Sequence, residues 1–304
     1  MKLRLFISLL FAATLLHAEP LKVGVSVLPL ESVVKEIGGE RVEVMSLQRE
    51  GDSCSVFEPR PSVISWLAGA EVFFRVGAGY ETSILHKVEN RFDRLTVHDL
   101  RDVVSVLPLE EHDHHHHDHA HAHDHGEDCE SCGSVHGDGD EETDPHLWLD
   151  PLRLADAADL IAGKLAEALP ESAEVFRDRA QSLRRRAEVL HHKLEQQLHP
   201  FHGRAFYVYH PSLNYFAQRY DLEQVAISAP SHSPTVRELH GVISRAREEG
   251  VRVIFVQPQE SRRHAEIVAQ AVGASVVEID PMDPDWEQCI GRIGEELAKA
   301  FMQD

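Results

Sequence analysis

Short runs of β-branched and aliphatic residues alternate along the chain with longer stretches of helical periodicity. The runs predict two series of strands, at 21–27, 42–47, 72–76 and 95–97, and then at 205–209, 224–227, 251–256 and 276–279. Helix starts are marked in both series, at Pro29, Pro61, Ser212, Thr235, Arg262 and Asp285. The pattern predicts an α/β protein with two lobes, each built on a mostly parallel sheet.

A segment without glycine or proline separates the two series. Residues 171–198 are rich in Glu, Arg, Ala and Leu, which predicts one helix of about 40 Å at 1.5 Å per residue. A helix of this length can link both lobes. We interpret its charged residues, including His191 and His192, as a solvent-exposed face. The expected organisation is an N-terminal lobe of residues 19–109 and 144–170, this linker helix, and a C-terminal lobe of residues 199–304.

The first eighteen residues have the pattern of a secretory signal. Lys2 and Arg4 precede an apolar run at 5–16, and Ala18 follows it. The run is shorter than the roughly 20 residues that a membrane-spanning helix needs. We therefore expect cleavage after Ala18 and an exported, periplasmic protein that is soluble after cleavage, with a retained N-terminal anchor as the alternative.

Charge and histidine content narrow the kind of partner. The chain has 30 Lys and Arg against 51 Asp and Glu, a formal net charge of −21, and it contains 22 histidines. The negative electrostatic field of this net charge repels phosphate backbones and attracts cations, so nucleic acid is not an expected partner. Histidine is the commonest metal-binding side chain, so a metal ion is the expected ligand.

Residues 110–143 interrupt the α/β pattern with a tract that has almost no large apolar residues. We expect a disordered loop that collects metal ions at many weak sites, because neutral imidazoles bind zinc, copper and nickel alike. Its histidines are His112, His114, His115, His116, His117, His119, His121, His123, His125 and His136. We expect Cys129 and Cys132 in the same tract to form a metal-ligating or disulfide-closed pair. The pairing of Cys54 and Cys289 stays open.

Three further side chains are candidates for a rigid metal site. His210 and Asp280 follow predicted strands, and ligands of open α/β sheets bind at the carboxyl ends of strands. His146 lies in a polar turn of sequence DPHLWLDP. Two imidazoles and one carboxylate form a zinc set whose tetrahedral geometry one more group or a water completes.

Four separated motifs in one order carry a family resemblance: DPHLWLDP at 144–151, HPS at 210–212 with YFA at 215–217, VQPQ at 256–259 and IDP at 279–281. Together they resemble the metal-binding solute-binding proteins of zinc and manganese ABC transporters. The resemblance implies two lobes joined by a rigid helix, a metal ion bound between them as transported ligand, and delivery to an ABC permease in the membrane. It implies no catalysed reaction. The acidic histidine loop and His210 favour Zn²⁺, with Mn²⁺ or another divalent ion as the alternative.

The chain departs from the family at the first metal ligand. The family motif G-x-x-P-H-x-[FY]-E-P aligns with GDSCSVFEP at 51–59, which places Ser55 at the histidine. The site then keeps His146, His210 and Asp280 with water or a loop histidine, or a neighbour substitutes, namely Cys54, Asp52 or Glu58.

Two other functions remain open: a zinc-dependent hydrolase that uses the open position, and a periplasmic zinc buffer. We expect a monomer.

Overall fold

The computed structural model describes residues 19–52, 57–89, 94–109, 143–229 and 234–303, with 86–89 described by backbone alone. The strands are β1 (Leu21–Val25), β2 (Val42–Ser46), β3 (Val72–Arg75), β4 (Thr96–Asp99), β5 (Ala205–Val208), β6 (Glu223–Ala226), β7 (Val253–Val256) and β8 (Ser275–Glu278). The helices are α1 (Leu28–Gly38), α2 (Pro61–Leu67), α3 (Gly79–Glu89), α4 (Pro151–Ala168), α5 (Ala173–Leu198), α6 (Asn214–Arg219), α7 (Val236–Glu248), α8 (Arg262–Val272) and α9 (Trp286–Phe301).

Several sequence predictions concern parts of the chain outside these ranges. They are the signal segment 1–18, Cys54, Ser55, the pair Cys129 and Cys132, and all ten loop histidines between His112 and His136.

The strands form two parallel sheets with the same order of strands. The first sheet runs β2-β1-β3-β4 and the second β6-β5-β7-β8. Parallel neighbours require crossover connections, and helices supply most of them. All four residues of β7 are buried, as expected for a strand covered on both faces. The predicted two-lobed α/β fold with parallel sheets is therefore confirmed.

The long helix α5 contacts helices from both parts of the chain. Its buried residues recur every three or four positions: Phe176, Ala180, Leu183, Ala187, Leu190, Leu194 and Leu198. This stripe packs on α1, α4 and α9. At Gly294 of α9 a Cβ atom would collide with the Leu194 side chain, so the close approach of α9 to α5 requires glycine there. The 3-10 turns Pro170–Ser172 and His199–Phe201 extend α5 at its two ends.

Helix α4 is an element that the hydrophobic pattern did not single out. Pro151 occupies its first turn, and the Asp150 side chain accepts hydrogen bonds from the backbone N–H groups of Leu152 and Arg153. Within the described ranges, no helix combines the length and hydrophobicity needed to cross a membrane.

Candidate metal centre

His146 is held in one orientation by the residue two positions before it. Its Nδ1 lies 2.6 Å from Oδ1 of Asp144, and its backbone N–H donates to the same oxygen at 2.9 Å. The residue is 2% exposed and precedes the 3-10 turn Leu147–Leu149. A carboxylate that accepts from Nδ1–H leaves the lone pair on Nε2, where it can coordinate a metal ion, the arrangement common among metal-ligating histidines.

Asp144 is itself fixed by the second half of the chain. The Tyr215 hydroxyl of α6 donates to the Asp144 carbonyl at 2.8 Å and accepts from the Leu107 backbone N–H at 3.1 Å. Burial raises the pKa of Tyr215 to about 12, so the hydroxyl stays protonated and can donate. Oδ2 of Asp144 is buried and has no hydrogen-bond partner among the described residues. The orientation of His146 therefore depends on contacts from both lobes.

His210 follows strand β5 and is fixed by the strand beside it. Gln257, directly after β7, accepts from the His210 backbone N–H at 3.3 Å and donates through Nε2 to the His210 carbonyl at 2.9 Å. The same Nε2 lies 3.0 Å from Oγ of Ser212. His210 is 4% exposed. The carboxyl ends of two neighbouring strands thus hold the backbone of this histidine.

The two imidazoles meet between the lobes, and we call this region the cleft. The ring centroids of His146 and His210 lie 5.5 Å apart, with an angle of 71° between the ring planes. His146 also stacks obliquely on Trp148 at 5.3 Å. The structure therefore brings together two of the three side chains that the sequence singled out.

Asp280 lies at the end of β8 with one oxygen engaged. Oδ1 accepts from Gln259 Nε2 at 2.9 Å and from the Met282 backbone N–H at 3.0 Å. Within the described residues, Oδ2 receives no hydrogen bond. Trp148 Nε1 donates to the Pro281 carbonyl at 2.9 Å, which ties the Asp280 segment to the turn that carries His146.

Asp280 is not gathered to coordinating distance of both imidazoles. Across the described ranges, one group of three metal-ligating side chains has its ligand atoms all within 4.8 Å of one another, and it is His191, His192 and Glu195 on α5. The site of His146, His210 and Asp280 stays a prediction from the sequence.

The candidate substitutes for the missing first histidine have different surroundings. Oδ2 of Asp52 accepts from the Arg49 backbone N–H at 2.9 Å, and its Oδ1 lies 3.7 Å from the Arg49 guanidinium. Glu58 is exposed in the segment before α2.

Cys289 is a buried free thiol that donates to the Asp280 carbonyl at 3.3 Å, and burial raises its pKa well above the usual range.

Sequence reasoning assigned no role to Asp144, Gln257 or Gln259, although all three lie in motifs that carry the family resemblance. A carboxylate two residues before a histidine, and glutamines directly after a strand, were the available signals. Each of these side chains orients a candidate ligand through hydrogen bonds. Which ligand a side chain can reach depends on the tertiary structure, including the order of the strands in the sheet.

The two α/β lobes, each built on a parallel sheet, are joined by a long helix, and each brings one imidazole to the cleft. This architecture defines the class of two-lobed binding proteins. A family model described as "ZnuA: Zinc-uptake complex component A periplasmic" matches residues 23–298. The chain belongs to this family, and the resemblance seen in its motifs is confirmed.

Individual relatives and solved structures agree with this membership. The manganese-binding lipoprotein MntA of Halalkalibacterium halodurans is 24% identical over 85% of this chain and 78% of its own length. The zinc-binding lipoprotein AdcA of Streptococcus pneumoniae serotype 4 is 23% identical over 84% of this chain, which spans 48% of that protein. A crystal structure of ZnuA superposes with a TM-score of 0.79 at 28% identity, over 92% of this chain and 99% of that one.

Proposed function

We propose that the protein binds one zinc ion in the cleft as transported cargo, through His146, His210 and Asp280. The observation that carries the proposal is the pair of imidazoles from opposite lobes, 5.5 Å apart. The Asp144 carboxylate contacts Nδ1 of His146, so Nε2 is on the opposite side of the imidazole ring. Asp280 accepts from Gln259 through Oδ1, and Oδ2 can coordinate the ion. Family membership and the relatives named for binding zinc support the choice of metal.

Coordination requires the three side chains to converge, because Asp280 does not lie at coordinating distance of both imidazoles. Zn–N bonds of about 2.0–2.1 Å place tetrahedral ligand atoms about 3.4 Å apart. Because His146 and His210 belong to different lobes, bringing Asp280 Oδ2 into this shell draws the lobes together around the ion. The fourth position takes water or a loop histidine, or one of the neighbours Cys54, Asp52 and Glu58.

Delivery follows from the same division of ligands between lobes. A protein that holds zinc from two lobes loses affinity when the lobes separate, so docking on an ABC permease in the membrane would release the ion for import. The histidine loop captures zinc, and no reaction is catalysed. Stopped-flow zinc release with and without permease in proteoliposomes tests delivery. Faster release with permease is expected, and an unchanged rate contradicts it.

Zinc affinity by chelator competition tests the cleft site itself. The exported protein is compared with a deletion of residues 112–136 and with His210→Ala in that deletion. We expect the deletion to keep one tight site and His210→Ala to remove it, while His240→Ala on exposed α7 serves as the matched control. A deletion without any tight site would make the loop the metal binder and the protein a buffer.

A further inference from the structure

A second group of metal-ligating side chains lies on α5, outside the cleft. His191, His192 and Glu195 have ligand atoms that all lie within 4.8 Å of one another. Glu195 follows His191 by four residues and His192 by three, and both spacings place side chains on the same helix face. The helix therefore presents two imidazoles and one carboxylate as neighbours on its surface.

The contacts within this group show convergence. The two imidazole rings lie 5.2 Å apart at 40°, and His192 Nδ1 is 3.4 Å from Oε2 of Glu195. His192 and Glu195 are exposed, whereas His191 is half-buried with its ring 5.8 Å from that of Tyr220. The group is open to solvent on one side and supported by packing on the other.

The surroundings keep the group able to bind a cation. Two basic side chains of this region pair elsewhere: the Arg219 guanidinium lies 2.8 Å from Asp150, and Lys193 Nζ lies 3.2 Å from Glu295. Their charges are thus partly neutralised.

We propose that His191, His192 and Glu195 form a second zinc site on the outer face of α5, separate from the cleft. Two imidazoles and a carboxylate are a ligand set that zinc accepts, with the fourth position open to water. The helix fixes the spacing before the ion arrives, so binding requires rotamer changes and little backbone movement. The proposal adds a metal-binding role to the solvent-exposed face on which the sequence analysis placed His191 and His192.

Protection of His191 and His192 from carbethoxylation measures zinc binding at this site in the full-length wild-type protein. Diethylpyrocarbonate modifies neutral imidazoles, and a bound metal ion blocks the reaction. Tryptic cleavage after Arg186 and Lys193 yields a peptide, residues 187–193, whose histidines are His191 and His192. The next peptide, residues 194–204, carries His199 and His202 as an internal reference.

We expect excess Zn²⁺ to reduce labelling of peptide 187–193 several-fold and that of peptide 194–204 much less. Glu195→Gln should abolish the protection, whereas Glu174→Gln, a matched change at an exposed position near the other end of α5, should keep it. Equal labelling with and without zinc in the wild type, or full protection in Glu195→Gln, would overturn the proposal. Neither outcome depends on whether the cleft binds zinc.

Discussion

Asp150 is a buried carboxylate that links helix α4 to helix α6. Its side chain is fully buried and caps the first turn of α4. It also lies 2.5 Å from the Arg153 guanidinium of α4 and 2.8 Å from the Arg219 guanidinium of α6. The carboxylate therefore holds two cations in place beside the cleft. Asp150→Ala removes all of these interactions while adding no bulk.

The expected loss follows from those contacts. Breaking a buried ion pair by removing one partner costs about 3–5 kcal/mol, because the remaining charge loses its compensation. Arg153 is 8% exposed, so its guanidinium cannot recover that loss from water. The lost helix cap adds about 1 kcal/mol. Asp150→Asn keeps a capping oxygen and should recover about that last part.

Urea denaturation of the metal-free protein measures this change. Far-UV circular dichroism and tryptophan fluorescence must give coincident transitions before a free energy of unfolding is derived. The control is Asp156→Ala. Asp156 also lies on α4, and its half-exposed carboxylate pairs with Arg184 of α5. Losing this exposed ion pair should lower the free energy of unfolding by less than about 1 kcal/mol. If Asp150→Ala loses no more free energy of unfolding than Asp156→Ala, the buried contacts of Asp150 do not stabilise the protein as proposed.

Two further predictions concern the site and the pH dependence of stability. Asp144→Asn should weaken zinc binding about 10–100-fold without unfolding the protein, because the carboxylate that orients His146 is gone; chelator competition measures this, and unchanged affinity speaks against that role. Burial, with Lys164, lowers the pKa of His98 below 6.5, so the unfolded chain binds more protons and stability falls as pH drops through 6.5. His98→Gln should reduce this slope in urea titrations, and a slope matching that of the exposed-site control His240→Gln would contradict the assignment.

Much of the fold could be predicted from local sequence. The buried strands at 21–25 and 253–256 are short β-branched runs, and the Gly- and Pro-free stretch before Leu198 is one helix. Helix α4 was missed although six of its 18 residues are alanine, the residue with the highest helix propensity. Its signals were the capping Asp150 and the following Pro151. Strand order could not be read locally, since it depends on which crossover returns to which edge.

The candidate site could be predicted in part. Strand-end position and motif identified His146 and His210, and the structure places their rings together. The partners that orient them come from other strands and the other lobe, as with Gln257 beside His210 and Tyr215 on Asp144. Such pairings arise from tertiary structure. The convergence of His191 and His192 with Glu195 likewise depends on side-chain rotamers rather than on spacing alone.

Anomalous scattering at the zinc edge, from crystals of the zinc-loaded protein lacking residues 112–136, locates the bound ion. We expect a strong peak in the cleft at about 2.0–2.1 Å from Nε2 of both His146 and His210, with a carboxylate oxygen of Asp280 in the same shell. A cleft without a peak, while zinc occupies positions elsewhere on the chain, would contradict it.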